Sequence, residues 1–189
     1  LNEEYSMTYD YVINNYDLWE KSENHFKEDP LALLTLTEPC NIISYPASEV
    51  EMKGRLLGGC IDVLITLIGS KFDKTKEFIE KYQSDGIIWF LEACDLNNIA
   101  LRRALIQMDQ AGWFKNMKGI IFGRPLSGMN DFFGMNRFDA VTEVIGKYNV
   151  PILFDVDLGH LPPSMPIICG SIGTIEFKNK QLTLKMELK

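Results

Sequence analysis

The chain has 189 residues, 46% hydrophobic and 24% charged, with a formal net charge of −7. That length and apolar content describe one ordinary globular domain with a real core. The negative balance, without a local Lys/Arg cluster, excludes a nucleic-acid backbone as partner, since nothing supplies a phosphate-neutralising field. No apolar run reaches the roughly 18 residues of a membrane span, and no secretory leader is visible. The four cysteines, Cys40, Cys60, Cys94 and Cys169, form no Cys-x-x-Cys pair. With only two histidines, a structural zinc site is not expected. They read as free, mostly buried thiols of a reducing, cytoplasmic compartment.

Taken in chain order, Glu3 to Ser22 predicts an amphipathic helix, with Tyr5, Tyr9, Val12, Ile13, Tyr16 and Trp19 at helical spacing. Lys21 to Pro30, which contains His25, reads as a polar linker. The chain opens on Leu1 and not on Met, which predicts a piece of a longer protein: a linker helix over residues 1–30, then a domain over 31–189. Leu31 to Leu36 suggests a strand, and Glu38 to Ser48, carrying Pro39 and Pro46, an irregular or edge segment.

Glu51 to Leu57 then leads into Gly58-Gly59-Cys60 and the apolar run Ile61 to Ile68. Adjacent glycines between strand and helix predict a tight turn or close backbone approach to a ligand. They lack dinucleotide-fingerprint spacing, and no P-loop Gly-Lys-Ser/Thr is present. A short segment, Phe72 to Tyr82 with Asp73 as cap, precedes the stretch that organises the chain, Gly86 to Asn98. Ile87 to Leu91 predicts a buried strand ending in Glu92. A helix from about Asn98 to Gly112 follows. Further on come a strand over Lys118 to Phe122, a helix over Arg137 to Tyr148 capped by Asn136, and a strand over Ile152 to Phe154. Ile167 to Cys169 suggests a short strand. Ile172 to Phe177 and Gln181 to Glu187 predict a terminal hairpin around Lys178-Asn179-Lys180. The fold class is α/β, with extra β-structure at both ends.

Two strands end in functional groups, Glu92 with Asp95 nearby, and His160 behind Asp155 and Asp157. A glutamate paired with a histidine is the orienter-and-base part of a nucleophilic triad. The nucleophile is missing: there is no Gly-x-Ser-x-Gly elbow. Cys60 and Cys94 qualify only by element, and Gly170-Ser171-Ile172-Gly173 resembles an elbow only loosely. A metal alternative would draw on Glu92, Asp95, Asp155, Asp157 and His160.

Gly54-Arg55-Leu56-Leu57-Gly58-Gly59-Cys60, Trp89-Phe90-Leu91-Glu92 and Asp155-Val156-Asp157-Leu158-Gly159-His160, in that order, with Pro151 and the Pro162-Pro163 bend, resemble the C-terminal domain of the LD-carboxypeptidase family of serine peptidases. The microcin C self-immunity hydrolases belong to the same family. The resemblance covers roughly Leu34 to Leu184. It implies a mixed β/α/β domain in which Glu92 takes the family's glutamate position and His160 its histidine position. It also implies that Gly58 and Gly59 border the substrate groove. Cys60 stands where members often have Asn, so no substrate contact is assigned to it.

The nucleophile, on the family's N-terminal α/β domain, has no counterpart in this chain. The implied substrate is a murein-derived peptide, or a related amide such as a peptide-nucleotide antibiotic. The reaction is hydrolysis of the amide to a terminal D-amino acid, with neither metal nor organic cofactor. A homodimer is implied, for which the Tyr/Trp stripe of the first helix offers an apolar face. The chain alone is expected to be inactive, because a base without nucleophile and oxyanion donors lacks the terms that dominate acyl transfer. A non-catalytic peptide-binding domain of the same fold is the competing expectation.

Overall fold

A computed structural model of the chain describes residues 10–21 and 31–188. Its centre is an eight-stranded mixed sheet in the order β1-β10-β9-β5-β6-β7-β8-β4. The strands are β1 (Asp10–Asn14), β4 (Ile43–Tyr45), β5 (Val50–Cys60), β6 (Ile87–Glu92), β7 (Met117–Gly123), β8 (Ile152–Val156), β9 (Ile172–Lys178) and β10 (Gln181–Glu187). A two-stranded ribbon pairs β2 (Leu18–Trp19) with β3 (Glu38–Pro39). The helices are α1 (Ile61–Leu67), α2 (Thr75–Lys81), α3 (Asn98–Gln110) and α4 (Arg137–Ile145), the last continued by a 3₁₀ turn, Gly146–Tyr148.

β5 joins two kinds of sheet. Its first half pairs antiparallel with β9, Val50 opposite Phe177 through Arg55 opposite Ile172. Its second half pairs parallel with β6, Arg55 opposite Ile87 through Cys60 opposite Glu92. β6, β7 and β8 continue in parallel, so their carboxyl ends share one edge. Side chains alternate across the sheet. Ile87, Trp89 and Leu91 enter a core with Ile61, Leu105, Met108, Val141 and Ile145 of the helices. Ile88 enters a second core with Leu56, Ile121, Leu153, Ile175 and Leu184, which contains no helical residue among the described residues. Both faces of β6 are therefore dry, which explains its unbroken apolar run.

Local chemistry sets most boundaries. Asn97 and Asn136 accept the N–H groups of Ala100 and Asp139 and start α3 and α4. Gly112, at φ 78°, ends α3. Asn179 and Lys180, both with positive φ, form the tight turn between β9 and β10. Asp73 accepts from the Thr75 N–H as α2 begins.

Four expectations are corrected. The helix expected over Glu3 to Ser22 is not formed in its described residues, 10–21, which carry β1 and β2 instead. β10 offers an open edge, and β1 pairs with it from Asp10 opposite Glu187 to Asn14 opposite Thr183, with Ile13 packing on the second core. The aromatic stripe dissolves accordingly, because Trp19 is buried beneath Arg124. Leu31 to Leu36 forms no strand; Leu31 and Leu33 are exposed, and the Thr35 N–H bonds the Glu20 carboxylate instead of a ladder. Ile167 to Cys169 is likewise irregular, leading into a turn at Gly170 whose N–H donates to the Leu56 carbonyl. The cysteines are free, but none is fully buried, and Cys169 is exposed. His25 and most of the expected linker lie outside the described residues.

Candidate active site

Glu92 is the last residue of β6 and is buried. His160 follows β8, two strands away, yet its Nδ1 lies 3.0 Å from Glu92 Oε2. The chain after β8 must therefore cross the end of β7. Gly123, the last residue of β7, makes that possible: a Cβ there would sit 2.9 Å from Leu158 Cβ. Gly159 completes the approach at φ 97°, a conformation open to glycine. A Cβ at Gly159 would stand 2.8 Å from Glu92 Oε2. Two missing side chains thus bring the pair into hydrogen-bond range.

With Nδ1 donating to the carboxylate, Nε2 is the nitrogen left to exchange protons. The His160 side chain is 42% exposed against 11% for Glu92. A buried acid behind a solvent-facing imidazole is the arrangement an orienter and a base require.

Gly58 and Gly59 lie within β5, not in a turn after it, and Cys60 leads straight into α1. Gly58 serves the sheet, since any Cβ would overlap the Phe90 carbonyl of β6. Gly59, at φ 145°, has open space beside it. Cys60 sits opposite Glu92 in register. Burial and the neighbouring Glu92 carboxylate push its thiol up to about 12, so at neutral pH it is a neutral thiol and not a nucleophile. Burial and then Asp95 push Cys94 up to about 11.

The aspartates of the metal alternative are engaged elsewhere. Asp155 accepts a two-pronged contact from Arg137, 3.1 and 2.6 Å. Asp157 is fully buried and pairs with buried Arg124 at 2.7 Å. It also accepts from the Tyr16 N–H and the Cys40 thiol. Asp95 is exposed, beside the Cys94 thiol. Among the described residues, no group of three or more His, Cys, Asp or Glu side chains converges as metal ligands. Ser171 is buried, its hydroxyl donating to the Ile168 carbonyl, so the loose elbow around it is a structural turn.

Sequence reasoning missed Arg124, the buried counter-ion of Asp157, and Asp62, whose carboxylate lies against the turn after Glu92. Arg124 followed a strand and preceded a proline, which gave no sign of burial. Asp62 lies unremarked within the run Ile61 to Ile68, and an acid in the first turn of a helix is ordinary.

The chain is similar to proteins already known. The chain is 26% identical over 137 residues to a Vibrio cholerae protein named as a carboxypeptidase, covering 72% of this chain and 38% of that one. It is 23% identical over 176 residues to the microcin C7 self-immunity protein MccF of Escherichia coli, covering 92% of this chain and 48% of that protein. The fold matches the solved structure of MccF in complex with glutamyl sulfamoyl guanosine with a TM-score of 0.68 at 22% identity, over 97% of this chain and 52% of that one. The chain thus spans about half, or less, of these relatives. A family model described as the LD-carboxypeptidase C-terminal domain matches residues 53–175, more than half of the chain, and the chain belongs to that family.

Proposed function

We propose that this chain is the C-terminal half of a serine-type LD-carboxypeptidase. It supplies the glutamate and histidine of a Ser-Glu-His triad whose serine lies on a separate N-terminal domain. The observation that carries the reading is the 3.0 Å contact between His160 Nδ1 and Glu92 Oε2. In the complete enzyme, His160 Nε2 takes the proton of the attacking serine hydroxyl, and buried Glu92 stabilises the imidazolium. The same nitrogen then protonates the amine that leaves, a terminal D-amino acid of a murein peptide. Gly59, with open space beside its backbone, borders the groove in which the peptide lies.

The test measures D-alanine release from a murein tetrapeptide by the chain alone and by the chain joined to the parent protein's N-terminal domain. The chain alone is expected at background. The joined protein is expected to turn over, to lose activity with His160→Ala, and to lose roughly 10³–10⁴-fold in kcat with Glu92→Gln. Release by the chain alone that His160→Ala abolishes would overturn the half-site reading. Hydrolysis of glutamyl sulfamoyl guanosine in place of murein would move the substrate to the class held in a solved MccF complex. Binding without turnover of either would leave a peptide-binding domain.

A further inference from the structure

The site contains one acid that the triad reading does not use. Asp62 lies in the first turn of α1, and its carboxylate faces the turn by which the chain leaves β6. Asp62 Oδ2 accepts the backbone N–H of Cys94 at 3.0 Å, and Oδ1 accepts that of Asp95 at 2.9 Å. The Cys60 thiol donates to Oδ2 at 3.6 Å. These N–H groups belong to the second and third residues after Glu92, where the ladder of β6 has ended and the backbone has no strand partner.

The carbonyls of the same turn are held from the other side. Ala93 and Cys94 accept the N–H groups of Leu126 and Ser127, 3.1 Å each, from the segment after β7. Residues 93–95 are thus fixed by a carboxylate on one flank and a loop backbone on the other. Only the carboxylate is a side chain, and charged acceptors make the stronger hydrogen bonds.

We propose that Asp62 is a positioning residue for the Glu92–His160 pair. By holding two consecutive N–H groups it fixes the exit of β6, and with it the direction in which the Glu92 carboxylate points toward His160. The hydrogen bonds of Asp62 run to Cys60, Cys94 and Asp95, whereas the imidazole bonds Glu92, so Asp62 acts through Glu92. The inference rests on the triad reading for its catalytic meaning, whereas the geometric effect is measurable in this chain without turnover.

The experiment is nitrogen–proton correlation NMR of the imidazoles in the 189-residue chain, with His160→Ala separating His160 from His25. In the wild-type chain, a protected Nδ1–H of His160 is expected. In Asp62→Ala, that proton is expected to exchange with water at least about tenfold faster and the tautomer preference to weaken, with far-UV circular dichroism unchanged. Asp62→Asn, which keeps one acceptor oxygen, is expected to fall between the two, and it serves as the test if the alanine variant does not fold. An Asp62 variant that folds and leaves His160 tautomer and exchange at wild-type values would overturn the proposal. In the joined protein, Asp62→Ala is expected to lower kcat by about 10–100-fold while KM changes little. A protected, Asp62-dependent Nδ1–H in a joined protein that hydrolyses nothing would overturn the triad reading and leave the positioning role intact.

Discussion

At the scale of one residue, Gly159 shows how narrowly the pair is built. Its φ of 97° is one that L side chains rarely adopt, and the space a methyl group needs is occupied by Glu92 Oε2 at 2.8 Å. Both penalties fall on the same substitution. Gly159→Ala is expected to destabilise the chain by about 1–3 kcal/mol through backbone strain alone, and to push the Glu92 carboxylate out of reach of His160. Urea denaturation measures the first effect, and the His160 Nδ1–H resonance reports the second. The convergence of Glu92 and His160 was legible in the sequence, because each lies at or beyond the end of a short apolar strand and parallel strands present their carboxyl ends together. The glycines that let the chain after β8 cross β7 were visible only as letters. A close approach between segments distant in sequence leaves no local periodicity to read.

Between elements, the buried Arg124–Asp157 pair ties together the exits of β7 and β8 and the segment before β2. Arg124 Nη1 also donates to the Asp155 carbonyl at 3.0 Å, and its guanidinium lies over the Trp19 ring at 4.9 Å. Asp157→Ala removes one partner and leaves a cation in a dry site. It is expected to cost about 3–5 kcal/mol, and the double variant Arg124→Met/Asp157→Ala to recover most of that. Chemical denaturation of the three proteins decides it. Residues 10–19 went wrong in the sequence reading for a related reason. Val12, Ile13, Tyr16 and Trp19 are spaced as on a helix, but what decides their state is remote: the open edge of β10, the Asp157 carboxylate that takes the Tyr16 N–H, and the Arg124 surface that buries Trp19. The starts of α3 and α4 and the turn between β9 and β10 were legible because Asn97, Asn136 and Asn179 act on their own neighbours.

For the molecule as a whole, the titrating groups predict an asymmetric pH profile. Burial, followed by a nearby carboxylate, pushes Cys40 and Cys60 up to about 12, Cys94 to about 11 and Tyr148 to about 12. In the unfolded chain these groups lose their protons nearer their ordinary values, about 8.5 for a thiol and about 10 for a phenol. Above about pH 8.5 the unfolded state therefore binds fewer protons than the native one, and stability falls as pH rises. On the acid side, burial of Asp109 acts to raise its pKa, yet hydrogen bonds from Lys147 and Tyr148 hold it below the usual range. Its contribution is present at neutral pH and lost as the carboxyl protonates. Thermal melts are expected to stay flat through neutrality and to drop steadily from about pH 9. Replacing Cys40, Cys60 and Cys94 by serine makes that drop shallower; an unchanged alkaline slope would refute the assignment. The topology of the sheet also sets a timetable for its assembly. The outermost strand, β1, pairs with β10, Asp10 lying opposite Glu187. During synthesis the first described strand must therefore wait, with its ladder unmade, until the last one has left the ribosome.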